Sequence, residues 1–377
     1  MKKMLLMLCL LPYIAHAEIL SEMSDAYQRF KTDLLNETGL SYSLDVSFLG
    51  QRGAPNGKGT PWQMQYYGSA NWNMFSNALG TGSAQVAYTA VRYAGMSADK
   101  LSQRIGVASQ VNDYTSNTNN FDQLSYTHQL PGIAKAFSVM IGQFPMYNFD
   151  GTDYDSNQQI NFLNYALSQN GSSAYPVASL GGAITFAPDS LWNVTIGMQD
   201  ANNVSGETIS ARKFSKGKYT TFGSIGLTPK IMGKDGQYAV LIYHQPSVAA
   251  QPEESLGWSL NMQQFLTDKI AVFGRINGTQ KSTESIRQSY VVGSVINDPL
   301  NRNKLDQIGL ATALNKLNKS ANPAGSRSFE TVLESYWAWG ISSFLTVTPD
   351  VQFYINPGLN RKSKTATVAS LRATLMF

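Results

Sequence analysis

Residues 366–377 read ATVASLRATLMF, and the reading of this stretch decides the fold. Counting back from the terminal aromatic, Phe377, Leu375, Ala373, Leu371 and Ala369 share one face of a strand, whereas Thr374, Arg372 and Ser370 share the other. One face suits lipid and the other suits water, which is what a transmembrane β-barrel asks of each of its strands. An open edge cannot sit in hydrocarbon, because each unpaired N–H or C=O there costs several kcal/mol. A spanning C-terminal strand must therefore pair with the first strand of the chain, and everything between must complete a closed wall. The last strand of a soluble β-sandwich alternates in the same way, so the rest of the chain has to decide between the two.

The N-terminus favours the membrane. Lys2 and Lys3 precede the apolar run Met4 to Leu11, and Ala15-His16-Ala17 places small residues where signal peptidase reads, so cleavage after Ala17 is expected. The single cysteine, Cys9, lies in that leader behind Leu8, which leaves an exported chain without thiols. Losing Lys2 and Lys3 with the leader lowers the formal net charge from +4 to +2, too balanced for a nucleic-acid partner. Beyond the leader no apolar run reaches about 18 residues, which excludes a bundle of membrane helices. Aromatics are plentiful (Tyr 19, Phe 17, Trp 6) against a charged fraction of 14%, a balance that suits aromatic girdles and a sparsely charged outer wall.

The spacing predicts one helix over Ser24–Glu37, capped by Ser24 or Asp25 and stopped at Gly39, with Ala26, Phe30 and Leu34 on one face. It is placed at the periplasmic mouth of the barrel. From Leu40 the period changes to two: Leu40, Tyr42, Leu44, Val46 and Phe48 alternate with Ser41, Ser43, Asp45 and Ser47. The pattern recurs to the C-terminus and predicts about 16 strands, an even number that returns both ends to the periplasmic side. Alternate connections are short and rich in turn residues, such as Pro131-Gly132, Pro188-Asp189, Asp298-Pro299 and Thr348-Pro349, and these are expected to be periplasmic turns. The others, notably 94–120, 145–177, 201–217, 315–328 and 357–365, are longer, polar and expected to be extracellular. The expected organisation is thus a leader at 1–17, a helical segment at 18–39 and an all-β, antiparallel transmembrane barrel at 40–377.

The longest connection runs from Pro145 to Pro176 and carries Tyr147, Phe149, Tyr154, Phe162, Leu163, Tyr165 and Leu167, too many anchors for a solvated loop. Folding this third extracellular loop into the barrel would give those side chains somewhere to pack. It also brings Asp150, Asp153 and Asp155 within six residues.

The run IGQFPMYNFDGTDYDSNQQINFLNYALSQNGSSAYPVASLGG resembles the equivalent stretch of the carbohydrate-selective porins, the OprB family. The resemblance rests on Gly-x-Phe before the loop, on Phe162, Asn164 and Ala166 within it, and on Tyr175, Pro176, Gly181 and Gly182 at its exit. RNKLDQIGLATALN and ETVLESYWAWGISSFLTVTPDVQFYINPGLN are similar to later strands of that family, although Gln352-Phe353-Tyr354 stands where the family has Gln-Tyr. The resemblance runs from about Leu40 to Phe377. It implies passive diffusion of small carbohydrates and other hydrophilic solutes across the outer membrane of a Gram-negative bacterium, in contact with its lipids and lipopolysaccharide. It also implies that the aromatic terminus, Phe377, is read by the barrel assembly machinery. No cofactor is expected.

Alternation sends Leu333, Trp337, Trp339 and Ile341 to lipid and Glu330, Glu334 and Tyr336 to the lumen, together with Asp350, Tyr354, Arg275 and Arg372 from other strands. With Tyr147, Asp150, Asp153, Tyr154, Phe162 and Tyr165 of the long loop, these are the candidate constriction and solute-binding residues. Carboxylates and guanidinium groups exchange hydrogen bonds with hydroxyls, and flat rings stack on sugar faces. Binding has to be weak enough for the solute to leave. Two other channel readings use the same barrel: export of a polysaccharide, and a general porin without specificity. A barrel hydrolase would need His128 or His244 beside a nucleophile, and neither sits near a glycine elbow or at metal-ligand spacing.

Overall fold

A computed structural model describes residues 26–377 except 152, 155, 156, 207, 208 and 216. The leader, the expected caps Ser24 and Asp25, and Asp155 lie outside the described residues. Sixteen antiparallel strands form the wall: β1 Leu40–Ala54, β2 Pro61–Asn77, β3 Gly80–Gly95, β4 Thr118–Gln129, β5 Phe137–Phe144, β6 Ser179–Phe186, β7 Trp192–Asp200, β8 Tyr219–Leu227, β10 Lys234–Gln245, β11 Ser255–Phe265, β12 Ile270–Gln280, β13 Ile286–Asn297, β14 Gln307–Leu317, β15 Phe329–Gly340, β16 Leu345–Ile355 and β17 Thr365–Met376. A two-residue strand, β9 (Lys230–Ile231), pairs with the start of β10 inside the turn that follows β8.

Each wall strand pairs with its neighbours in sequence, and β17 pairs with β1 to close the ring. Val46 lies opposite Leu375 and Phe48 opposite Ala373. Beyond the ladder, the amides of Leu44 and Phe377 each donate to the other's carbonyl at 2.9 Å. Closure satisfies the two edges that lipid would otherwise leave bare.

The alternation read from sequence appears in the wall. On β15, Leu333, Trp337 and Trp339 are exposed on the outer face while Glu330 and Glu334 are fully buried. Outward aromatics cluster near the ends of the strands. Phe186 lies 4.8 Å from Phe137 and 5.5 Å from Trp192 at the periplasmic side, and Tyr88 lies 5.1 Å from Phe121 toward the other. These are the girdles expected where a barrel meets the two interfaces.

Helix α1 spans 26–38 and ends at Gly39, whose φ of 75° is left-handed; a Cβ there would stand 2.4 Å from the Asn73 carbonyl oxygen. Tyr27 meets Tyr42 and Phe377 edge-on, each at 6.5 Å, so the helix is seated where the wall closes.

Two boundaries differ from expectation. The turn expected at Thr348-Pro349 lies instead at Ile341–Phe344, where Ile341 donates to the carbonyl of Leu345. Pro349 sits inside β16 opposite Leu371, and the β15–β16 ladder breaks between Tyr336–Asp350 and Trp339–Val347, where proline has no N–H to give. The turn after β13 is also longer than Asp298-Pro299 predicts. Asp306 accepts from Arg302 at 2.5 and 3.1 Å and from the Gly340 amide at 2.7 Å, which holds 298–306 out of the ladder.

Candidate functional site: two segments folded into the barrel

Pro145 ends β5 and starts a 3-10 turn, Met146–Phe149, that sends the long loop inward. Phe149 packs on Phe222 at 5.0 Å and on Phe144 at 5.9 Å, an aromatic cluster inside the barrel. From there the loop crosses the lumen and bonds to the wall strand by strand. Asp150 accepts from Ser259 Oγ at 2.7 Å and from Asn170 Nδ2 at 2.6 Å. Asp153 accepts from Gln263 Nε2 at 2.8 Å, and Tyr154 Oη accepts from Asn297 Nδ2 at 3.0 Å. The ring of Phe162 is held between Tyr336 at 4.9 Å and Phe273 at 5.7 Å. On the far side Gln158 donates to Gln65 Oε1 at 2.6 Å, and Gln159 donates to Ser47 Oγ at 3.2 Å.

The wall residues expected to meet solute bond to this loop. Glu334 accepts from the amides of Leu163 at 2.5 Å and Asn164 at 2.9 Å. Arg372 donates to the carbonyls of Gln158 and Asn161, the latter at 2.8 Å, and Arg275 donates to the carbonyl of Leu167. Tyr354 Oη accepts from Asn164 Nδ2 at 2.8 Å, and Asp350 is buried beside Glu334 and Arg372. Arg275, Glu330, Glu334, Tyr336, Asp350, Tyr354 and Arg372 are all between 0 and 2% exposed, so they point inward but are covered. Alternation gives the face a side chain occupies; it does not say what packs on that face.

A second segment also enters, the connection 94–120 expected to be an extracellular loop. After β3, Ser97 accepts from the Lys100 amide to cap α2, Ala98–Ile105, and Gly106 with φ 77° ends it. Leu101, Ile105, Val107 and Val111 are fully buried. The helix lies so close to β1 that a Cβ on Gly53 would stand 2.8 Å from Ile105 Cγ2. Glu330 accepts from the amides of Ala108 and Ser109 at 2.8 Å each and of Gly358 at 2.6 Å. The apolar periodicity of AxxLxxxI in 98–105 was the available signal for this helix. The two inward segments join through Asn164 Nδ2, which donates to the Gln110 carbonyl at 2.7 Å, and through Gln169 Nε2, which donates to Asp113 Oδ2 at 2.9 Å.

Between these segments and the β4 side of the wall lies a cavity of about 390 Å³. It is lined by Asp113, Tyr114, Asp122, Tyr147, Tyr165, Gln169, Tyr175 and Glu284, together with smaller polar residues and two valines, Val177 and Val204. A second cavity of about 260 Å³ shares Asp113, Thr115, Tyr165 and Glu284 with it, so the two adjoin. Among the described residues no lysine or arginine lines either one. Confinement in the barrel pushes the carboxyl of Asp113 up to about 7, against the bond from Gln169 and with help from the nearby charge of Asp122. Burial likewise pushes Glu284 up to about 7. Burial also holds the phenols of Tyr114, Tyr147 and Tyr165 above their usual range, so they are neutral donors at any working pH. Of the expected site residues, Tyr147 and Tyr165 line this passage. Asp113, Tyr114, Asp122 and Glu284 do so without having been singled out from sequence.

The two histidines of the described chain sit apart from this passage. His128 Nδ1 pairs with Tyr126 Oη at 2.9 Å and its Nε2 with the Leu79 carbonyl at 3.1 Å, whereas His244 Nε2 pairs with Glu254 at 2.8 Å. Among the described residues no three His, Cys, Asp or Glu side chains form a metal-binding group.

The family model for "Carbohydrate-selective porin, OprB family" matches residues 63–252 and 216–377. Porin AaxA of Chlamydia pneumoniae is 37% identical over 355 residues, covering 91% of this chain and 81% of its own. Porin AaxA of Chlamydia felis is 35% identical over 347 residues, covering 89% and 78%. Among solved structures, Pseudomonas putida OprB at high pH superposes with a TM-score of 0.75 at 18% identity, covering 93% of this chain and 97% of that one. An anion-selective porin from Comamonas acidovorans superposes at 0.55 and 11% identity, covering 90% and 99%, a likeness of fold alone.

Proposed function

The chain belongs to the carbohydrate-selective porin, OprB family, and from that premise we infer that solutes cross through the acidic, tyrosine-lined passage between the two inward segments and the β4 side of the wall. The protein is an outer-membrane porin for small hydrophilic solutes. The observation that carries the inference is the lining: three carboxylates, several neutral phenols and amides, and, among the described residues, no basic side chain. Phenols and amides exchange hydrogen bonds with hydroxyls, and the ring faces accept sugar C–H groups, which suits neutral carbohydrates. The carboxylates add a negative potential that favours cations over anions in a narrow, low-dielectric pore. Candidate solute contacts are therefore Asp113, Tyr114, Asp122, Tyr147, Tyr165 and Glu284. Arg275, Glu330, Glu334, Tyr336, Asp350, Tyr354 and Arg372 act from behind the loop. Export of a polymer would call for a lumen clear of both segments, so uptake of small solutes is the better reading.

The same proposal has the leader removed after Ala17, and it has the wall in contact with phospholipid and lipopolysaccharide. Phe377, stacked 6.2 Å from Phe344, is then the group offered to the barrel assembly machinery. Liposomes carrying the protein should swell in isotonic mono- and disaccharides, and a potassium chloride gradient across a bilayer should give a cation-selective reversal potential. Swelling no faster than in protein-free liposomes would remove the proposal. Selectivity for chloride would move the path away from this lining.

A further inference from the structure

We propose that Glu330 and Glu334 are positioning residues of the channel, setting its width and selectivity through the backbone they hold and never touching the solute. They stand four residues apart on the inward face of β15, about 13 Å along the strand, and each is 0% exposed. Each carboxylate receives main-chain amides of a different inward segment: Glu330 those of Ala108 and Ser109, Glu334 those of Leu163 and Asn164. A carboxylate offers lone pairs on both oxygens and is the one side-chain group that can accept from two or three amides at once without presenting a donor of its own.

The segments they hold lead directly to the passage. Asp113 and Tyr114 lie four to six residues beyond Ala108–Ser109, and Tyr165 follows Asn164 immediately. Consecutive Cα atoms are 3.8 Å apart, so freeing the amides at 108–109 lets the acidic edge of the passage move away from the opposite wall. Glu330 also receives the amide of Gly358 at 2.6 Å, and Leu359 donates to the Gly106 carbonyl at 2.8 Å. The loop between β16 and β17 is thereby fastened to the same point. One strand thus serves as a post for both halves of the constriction. An amide in place of Glu330 would aim its NH₂ at a backbone N–H and undo the arrangement at nearly constant volume.

The inference rests on the path proposed above, and single-channel recording of the full chain separates the two. Glu330→Gln should raise conductance, add open-channel noise and move the reversal potential toward zero as Asp113 withdraws. Glu334→Gln should raise conductance with a smaller shift in reversal potential. A cross-link restores the fastening without the charge: Ala108→Cys with Gly358→Cys in the Glu330→Gln background. A Cβ at Gly358 would stand 3.0 Å from that of Ala108 and 2.4 Å from Leu317 Cδ1, so the pair must part by about 0.5 Å or more to reach disulfide separation, with the Leu317 side chain giving way. Oxidation should return both readings to wild-type values and a reductant should abolish the rescue. Wild-type conductance and reversal potential in a folded, heat-modifiable Glu330→Gln barrel would overturn the proposal. So would an oxidised cross-link that leaves the variant unchanged, which would show that the buried charge itself acts. A reversal potential indifferent to Asp113→Asn would instead refute the proposed path and leave the conductance test of Glu330 standing.

Discussion

Gln169 Nε2 donates to Asp113 Oδ2 at 2.9 Å, and this bond ties the loop after β5 to the segment after β3 inside the barrel. It stabilises the charged form of Asp113, yet confinement outweighs it and the carboxyl titrates at about 7, as does Glu284. Both groups are therefore ionised above about pH 7 and neutral below it, and the phenols facing them from Tyr114, Tyr147 and Tyr165 stay protonated throughout. Cation selectivity should be strong at pH 8.5 and weaker at pH 5.5, with a midpoint near neutrality. A unit charge at 4 Å is worth about 1 kcal/mol even in bulk water, or roughly fivefold in permeability. Reversal potentials recorded across that range test this, and Asp113→Asn combined with Glu284→Gln should remove the part of the profile near neutrality, leaving only what Asp122 contributes.

Phe162 is the apolar anchor of the inward loop, fully buried between Tyr336 and Phe273. Phe162→Ala should cost on the order of 3–5 kcal/mol of local packing while leaving the wall ladder whole. The expected signature is cleavage by an added protease within 150–170 of a barrel that still migrates as folded, together with larger and noisier conductance. Deleting most of 148–172 should enlarge conductance further. If the deletion left conductance unaltered, the loop could not be what narrows the pore.

Much of the wall was legible because lipid imposes a simple rule. Period-two alternation placed Leu371 outward and Arg372 inward, and the pairing of β1 with β17 followed from the cost of an open edge. What lies inside the lumen obeys no such rule. Arg372 and Glu334 look like solute contacts on a strand diagram, and only the path of the loop reveals that Gln158, Asn161, Leu163 and Asn164 cover them. Segment 96–117 was missed because α2 is eight residues long and its buried face packs on β1, far away in sequence. The turn at Pro349 failed for a local reason: proline signals a turn in most contexts, but here the ladder accommodates it by omitting one pair of bonds.

Tyr243 of β10 lies over Gly257, its partner on β11, where an added Cβ would stand 2.0 Å from its ring. Its hydroxyl accepts from the Ala174 amide at 2.9 Å and its ring meets Tyr175 at 4.9 Å, so this pair fixes the end of the inward loop. Gly257→Ala should push Tyr243 aside, release Ala174 and cost about 1–3 kcal/mol through overpacking. Tyr243→Phe removes the hydroxyl alone and should cost about 1 kcal/mol. Hydrogen exchange at 172–176 should rise in both variants and more in the glycine variant; equal protection in the two would mean that the hydroxyl bond alone, and not the ring's place over Gly257, holds the loop.

Phe377 joins three elements at the closing seam. Its carbonyl accepts from the Leu44 amide at 2.9 Å, its ring stacks on Phe344 at 6.2 Å, and Tyr27 of α1 meets it edge-on at 6.5 Å. Each aromatic pair is worth about 0.5–1.5 kcal/mol beyond area burial. Phe377→Ala should therefore destabilise the purified barrel by only about 1–3 kcal/mol, visible as a lower temperature for loss of the heat-modifiable band. If the terminal aromatic is also read during assembly, the yield of folded protein in the outer membrane should fall far more than that stability loss explains. Phe377→Tyr keeps the ring and the backbone bonds and should restore both. A variant whose membrane yield simply tracks its thermal stability would assign Phe377 to the seam alone.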